Sequence, residues 1–123
     1  MTRLFRLLFW AATLFAVTMA LWPLATPVPT AGLGDKWQHM IAFFTLTLLA
    51  GLGWPSARLP VLLVYMVLLG LIIEVAQWAL PMLNRQGSWL DWLADGAATL
   101  AALLMLAALR PMQRRILAES RRS

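Results

Sequence analysis

The sequence predicts an all-α protein, a bundle of four transmembrane helices with both termini in the cytoplasm. Of the 123 residues, 62% are hydrophobic and 12% are charged, whereas a soluble domain has about half apolar and about a quarter charged residues. The apolar residues fall into four stretches, each long enough to cross a hydrocarbon core about 30 Å thick. This composition excludes a disordered chain, and the absence of cysteine excludes disulfides and thiolate metal sites.

The predicted spans cover residues 4–22, 37–54, 59–80 and 89–109. Proline and glycine residues separate them and predict turns. The spans form one membrane domain, 1–109, which a basic tail, 110–123, follows. The first span also resembles a signal peptide, because Arg3 and Arg6 precede an apolar run. That run is long for a signal, and no small-residue cleavage motif follows it, so we expect the span to be retained.

The distribution of basic residues predicts the orientation. The side that holds both termini carries eight basic residues, and the opposite side carries two, Lys36 and Arg85. Because basic loops remain on the cytoplasmic side, we expect both termini there. The basic ends are typical of contacts with anionic lipid. No nucleic-acid-binding motif is recognisable, so we expect no nucleic-acid partner.

Polar residues concentrate at the outer end of the predicted bundle. They lie at the beginning of the second helix, near the end of the third, in the loop that follows it and at the beginning of the fourth. In chain order they are Asp35, Lys36, His39, Glu74, Gln77, Arg85, Ser88, Asp91 and Asp95. Asp35 and His39 are four residues apart, as are Asp91 and Asp95, and Glu74 and Gln77 are three apart. Each pair therefore shares one helical face.

Small residues continue two of these polar faces, through Gly70 on the third helix and through Ala98 and Ala102 on the fourth. Small residues are typical of helix–helix contacts in membranes. The polar faces are therefore predicted to point into the bundle. Ala94, Ala98 and Ala102 also fit a contact between copies of the chain, so a homo-oligomer is an alternative use of this face.

Several polar residues also have a purely structural interpretation. Ser88 can cap the fourth helix, and His39 can be a packed, hydrogen-bonded side chain. Glu74 and Asp95 point more strongly to a function, because a carboxylate inside a membrane helix is costly. An ion pair with Arg85 is the structural alternative for them.

The carboxylates of this end outnumber its cations. Four acidic residues face Lys36, Arg85 and at most one positive charge on His39. Such a cluster can share protons, it can hold His39 in its protonated form, or it can bind a divalent cation through carboxylate oxygens and the imidazole nitrogen. The sequence leaves the choice open.

Three segments resemble conserved blocks of the VanZ-like family. Segment 35–44, DKWQHMIAFF, resembles its DK-x-x-H-x-x-x-F opening, and segment 74–77, EVAQ, resembles its E-x-x-Q block. Segment 85–97, RQGSWLDWLADGA, resembles its R-x-x-S-x-x-D-x-x-x-N-x-x-G block, with Asp95 in place of the usual Asn. The resemblance covers about residues 35–104. It implies a small multi-pass protein of the bacterial cytoplasmic membrane, and the family is named for a protein linked to teicoplanin resistance.

Two functions compete, and a proton or ion pathway is a weaker third option because the inner halves of the predicted spans hold no acidic residue or histidine. The first is an envelope protein that binds a lipid headgroup, a cell-wall precursor or a glycopeptide through Asp35, His39, Glu74, Gln77, Arg85, Ser88 and Asp91. The second is an intramembrane enzyme that acts on a lipid-linked substrate by acid/base or metal-assisted chemistry, with catalytic candidates His39, Glu74, Asp91 and Asp95. We favour binding, because it is the commoner use of a pocket with a few polar groups.

The predicted orientation is testable by cysteine accessibility, because the chain has no native cysteine. We expect Ala31→Cys and Gln86→Cys to react with an impermeant thiol reagent in intact cells. Ala57→Cys and Ala118→Cys are expected to react only after the membrane is permeabilised. The reverse pattern would contradict the orientation and would move the polar end to the cytoplasmic side.

Overall fold

The computed structural model describes residues 1–23, 35–83 and 89–123, with the side chains of Asp35 and Lys36 excepted. These residues form α1 (Thr2–Ala20), α2 (Asp35–Gly53), α3 (Leu59–Ala79), a 3₁₀ turn (Pro81–Leu83) and α4 (Trp89–Arg122). Within these ranges there is no strand, which confirms the prediction of an all-α chain with four helices. Three of them, α1, α3 and α4, are long and apolar enough to cross a membrane, whereas the apolar part of α2 is shorter, Trp37–Gly53.

Proline residues explain where some helices begin and end. Helix α3 has a proline in its first turn and an extended residue, Arg58, before it, an arrangement that suits a helix start because proline needs no hydrogen-bond partner there. Helix α2 ends at Gly53, shortly before Pro55. Pro111 lies inside α4 without ending it, so this helix continues to Arg122, well past the predicted end of its span at residue 109.

Helix α2 is the centre of the bundle, since it packs against α1, α3 and α4. Its most buried side chains are those of Phe43, Leu46, Thr47 and Ala50. These residues lie one, three or four positions apart, so they form one broad face of the helix. The outer faces of the other helices stay apolar and exposed, as at Leu14, Tyr65, Ile72, Trp78 and Leu104. A surface of this kind is typical of helices that face lipid.

Small residues allow the helices to approach closely. A Cβ atom on Gly51 would lie 2.4 Å from a methyl carbon of Leu106, and one on Gly70 would lie 3.1 Å from the Trp92 ring. Ala98 and Ala102 on α4 are both buried. The prediction that the faces through these small residues point into the bundle is therefore confirmed.

Basic side chains close the end of α2 that is remote from the polar residues. Arg6 donates from Nε to the carbonyl oxygen of Gly53 over 2.7 Å, and its guanidinium lies 5.3 Å from the centre of the Trp54 ring. Arg110 is buried and donates to the carbonyl oxygens of Pro55 and Gly51. The carbonyl groups of Gly51 and Gly53 lie in the last turn of α2 and have no partner inside the helix, so these donors satisfy them. The segment predicted as a tail thus begins with a buried side chain that holds two helices together.

We expect Gly51→Ala to destabilise the bundle by about 1–3 kcal/mol, because the added methyl group meets Leu106 in a packed interior. Gly96→Ala is the matched control, since nothing lies within 4 Å of a Cβ atom there. That change is expected to be neutral or stabilising by up to about 1 kcal/mol. Thermal unfolding in detergent measures both variants, and equal melting temperatures would contradict the close approach of α2 and α4.

Candidate functional site

Three helices, α2, α3 and α4, bring polar side chains together at one end of the bundle. His39 lies in the second turn of α2 and Asp95 in the second turn of α4, while Glu74 lies five residues before the end of α3. Because α3 runs opposite to α2 and α4, its end adjoins their beginnings. All three side chains are buried, with exposed fractions of 9% for His39, 2% for Asp95 and 8% for Glu74.

His39 and Asp95 face each other across the contact between α2 and α4. The distance from His39 Nδ1 to Asp95 Oδ2 is 3.4 Å, which is long beside the roughly 2.7–2.9 Å of a strong charge-assisted hydrogen bond. The other carboxylate oxygen of Asp95, Oδ1, is buried and has no hydrogen-bond partner within residues 1–23, 35–83 and 89–123. The Asp95 carboxylate therefore has unused capacity to accept a hydrogen bond or to bind a cation.

Glu74 completes a group of three donors. His39, Glu74 and Asp95 each offer one nitrogen or oxygen atom, and the three atoms lie within 4.8 Å of one another. We call this group the polar triad. An imidazole beside two buried carboxylates can transfer protons, or it can hold a cation. The sequence-based expectation that these three residues converge agrees with their positions.

A cavity of about 260 Å³ opens beside the polar triad, between α1 and α2. Its α1 wall is formed by Ala12, Phe15, Ala16, Met19 and Ala20, and its α2 wall runs from Gln38 to Leu46. The lining is almost wholly apolar. His39 contributes to this lining as well as to the polar triad, so one side chain connects the apolar space with the buried carboxylates.

Gln77 holds α1 beside the site. Its side-chain Nε2 donates to the carbonyl oxygen of Ala20 over 2.7 Å, and both residues are buried. Ala20 is part of the cavity lining. The Gln77 hydrogen bond thus ties the end of α1 to α3 and keeps the α1 wall of the cavity in place, a role that the spacing of Glu74 and Gln77 did not indicate.

The Trp92 side chain of α4 packs against α3. Its ring is half-buried against Gly70, and its Nε1 donates to the carbonyl oxygen of Val67 over 3.1 Å. The absence of a side chain at Gly70 leaves room for the ring. Trp92 is therefore part of the contact between α3 and α4.

The remaining predicted site residues fall outside the polar triad or outside the described part of the chain. Asp91 is half-buried, one turn before Asp95 and nearer the beginning of α4, and it is not a member of the triad. Arg85 and Ser88 lie outside the described residues, and the side chain of Asp35 is not described. Their predicted roles as ligand-binding residues stay predictions.

Sequence reasoning missed the contribution of α1. Ala12, Ala16 and Ala20 are spaced four residues apart, so they form a row of small residues on one helical face. The same spacing of small residues predicts the inward face of the fourth helix through Ala98 and Ala102. In the first helix it marks the α1 wall of the cavity.

Comparisons with known proteins identify no relative: no family model matches the chain, and neither a curated protein nor a solved structure is similar to it. The resemblance to the VanZ-like family accordingly remains a prediction that depends on the three sequence blocks.

We expect Gln77→Leu to destabilise the protein by about 1–3 kcal/mol, because it leaves the buried carbonyl group of Ala20 without its donor. Gln113→Leu is the matched control. Gln113 is half-buried, and its contacts with the carbonyl oxygens of Gly51 and Leu52 are longer, 3.4 and 3.3 Å. Thermal unfolding in detergent is expected to show the larger loss for Gln77→Leu, and an equal or smaller loss would contradict its role as a tether.

Proposed function

We propose that this protein is a four-span, VanZ-like protein of the bacterial cytoplasmic membrane that binds an amphiphilic envelope ligand, a lipid or a lipid-linked cell-wall precursor. The ligand chain occupies the cavity between α1 and α2, and its polar group reaches His39 and the outer end of the bundle. The single observation that carries the proposal is a largely apolar cavity of about 260 Å³ with His39 in its lining.

The size and lining of the cavity favour a chain over a larger polar molecule. Pockets for drug-sized ligands have volumes of roughly 300–1,000 Å³, so a cavity of about 260 Å³ suits one section of a ligand. Apolar walls gain free energy when they cover hydrocarbon and lose it when they cover polar groups without partners. A glycopeptide fits these walls less well than a lipid chain does.

The charge distribution supports the proposed placement in the membrane. Glu74 and Asp95 lie at one end of the bundle, and Arg6, Arg58 and Arg110 lie at the other end. With the basic end in the cytoplasm, the polar triad faces the outer leaflet. Helix α2 also crosses the membrane in this arrangement, and its contacts with the three other helices reduce its exposure to lipid.

Photolabelling tests the proposal. Protein in vesicles is exposed to a phospholipid that carries a photoreactive group near the end of one acyl chain, and separately to a photoreactive polyprenyl phosphate. We expect label on the cavity wall from Ala12 to Ala20. The probe that gives the more intense labelling shows whether the ligand is a phospholipid or a polyprenyl phosphate. Ala16→Phe fills the cavity and is expected to reduce this label by at least about tenfold, a change of about 1.4 kcal/mol in binding.

Ala11→Phe is the matched control for Ala16→Phe. Residue 11 lies on the same helix but is exposed and outside the cavity. Its substitution adds the same ring to the outer face of α1, so the labelling of the cavity wall is expected to stay unchanged. Equal labelling of the two variants, or wild-type label spread evenly over the exposed helix faces, would refute the proposed binding site.

The close approach of His39, Glu74 and Asp95 favours one second candidate, an enzyme that acts on a lipid-linked substrate. In that case His39 or Glu74 accepts a proton from the attacking group and Asp95 orients the imidazole. Glu74→Gln separates the two functions. An enzyme retains its photolabel but loses turnover, whereas a binding protein shows no turnover of lipid-linked substrates in either form.

A further inference from the structure

The polar triad has the donor atoms of a transition-metal site. His39 supplies an imidazole nitrogen, and Glu74 and Asp95 each supply a carboxylate oxygen. Imidazole is a ligand that favours zinc and its neighbours in the first transition series, while calcium and magnesium prefer oxygen ligands alone. Three protein ligands also leave one position of a four-coordinate ion open, as in sites where the metal contacts another molecule.

The distances suit a metal better than they suit a hydrogen bond. Two donor atoms that each lie about 2.1 Å from a tetrahedral zinc ion are about 3.4 Å apart. The separation of His39 Nδ1 and Asp95 Oδ2 is 3.4 Å. All three donor atoms lie within 4.8 Å of one another, so small side-chain movements bring Glu74 to the same ion.

Burial provides a second, independent observation. Asp95 is 2% exposed, and its Oδ1 atom has no hydrogen-bond partner in the described segments of the chain. An unpaired buried carboxylate oxygen is costly, and a cation bound by both oxygens of the Asp95 carboxylate supplies the partner that Oδ1 lacks. Two carboxylates also balance the charge of one divalent ion, which matters at a site from which bulk water is excluded.

We propose that His39, Glu74 and Asp95 form a binding site for one divalent transition-metal ion, with zinc as the best match. The site goes beyond the proposed binding of an amphiphilic ligand, because it requires only the three side chains. A bound ion joins α2, α3 and α4 at their polar ends. Its open position points to a ligand with an anionic oxygen, such as a phosphate or carboxylate group.

Cobalt(II) is the probe that tests the site, because four-coordinate cobalt absorbs visible light and occupies zinc sites. The full chain is purified in detergent with a tag that contains no histidine, stripped with a chelator and titrated. We expect one cobalt ion per chain, displacement by zinc and no displacement by calcium. Absence of a saturable site in the wild-type protein would overturn the proposal.

Substitutions assign the ligands. His39→Gln and Asp95→Asn keep the approximate shape of each side chain, and both are expected to weaken cobalt binding by more than about 100-fold. Loss of a group that only hydrogen-bonds to a metal ligand already weakens binding by about 10–100-fold. Glu119→Gln removes an exposed carboxylate elsewhere and is expected to leave binding unchanged. Unchanged affinity of the two ligand variants would refute the assignment.

The single histidine of the chain allows a test that needs no variant. Protein labelled with ¹⁵N only in histidine gives the resonances of one imidazole ring. Zinc is expected to shift them at one ion per chain, and resonances that zinc leaves unmoved would overturn the site. Ala16→Phe is expected to retain the zinc response, so failure of lipid binding and failure of metal binding are distinguishable.

Discussion

The structure depends on keeping polar side chains from three helices in contact with one another inside an apolar bundle. A carboxylate that faces lipid is costly, and an unpaired one in the interior is also costly. The bundle reduces both costs because α2, α3 and α4 bring donor atoms of His39, Glu74 and Asp95 within 4.8 Å of one another. This requirement restricts the rotation of each helix about its axis, because rotating any one helix moves its polar side chain away from the other two.

Helix α2 has polar contacts of opposite charge at its two ends. At its beginning, α2 presents His39 to carboxylates, and at its end its carbonyl groups receive donors from Arg6 and Arg110. Cationic donors are favourable there because the carbonyl ends of a helix carry a partial negative charge. Because α2 packs against the three other helices, most of its side chains face protein rather than lipid.

The sequence alone predicts those features that depend on local spacing and composition. The four helices and the convergence of His39 with Glu74 and Asp95 follow from the apolar stretches and from the depth of each residue along its helix. The cavity and the hydrogen bond from Gln77 to Ala20 do not follow. They depend on which helix lies next to which, and α1 carries no charged residue at that end to indicate its neighbour. Arg110 was missed for a related reason, because a run of arginines resembles a tail when the partner carbonyl groups are distant in sequence.

The length of α4 has a mechanical consequence. A helix of 34 residues is about 51 Å long at about 1.5 Å per residue, whereas the hydrocarbon core is about 30 Å thick. If its first turns lie at one face of the bilayer, roughly 20 Å of helix must overhang the other face. The helix then fixes the distance and direction of its arginine side chains relative to the lipid headgroups. The same helix carries these arginines and Asp95, so a tilt of α4 near the buried carboxylate also moves the arginines. Pro111 is the position at which the helix bends most easily.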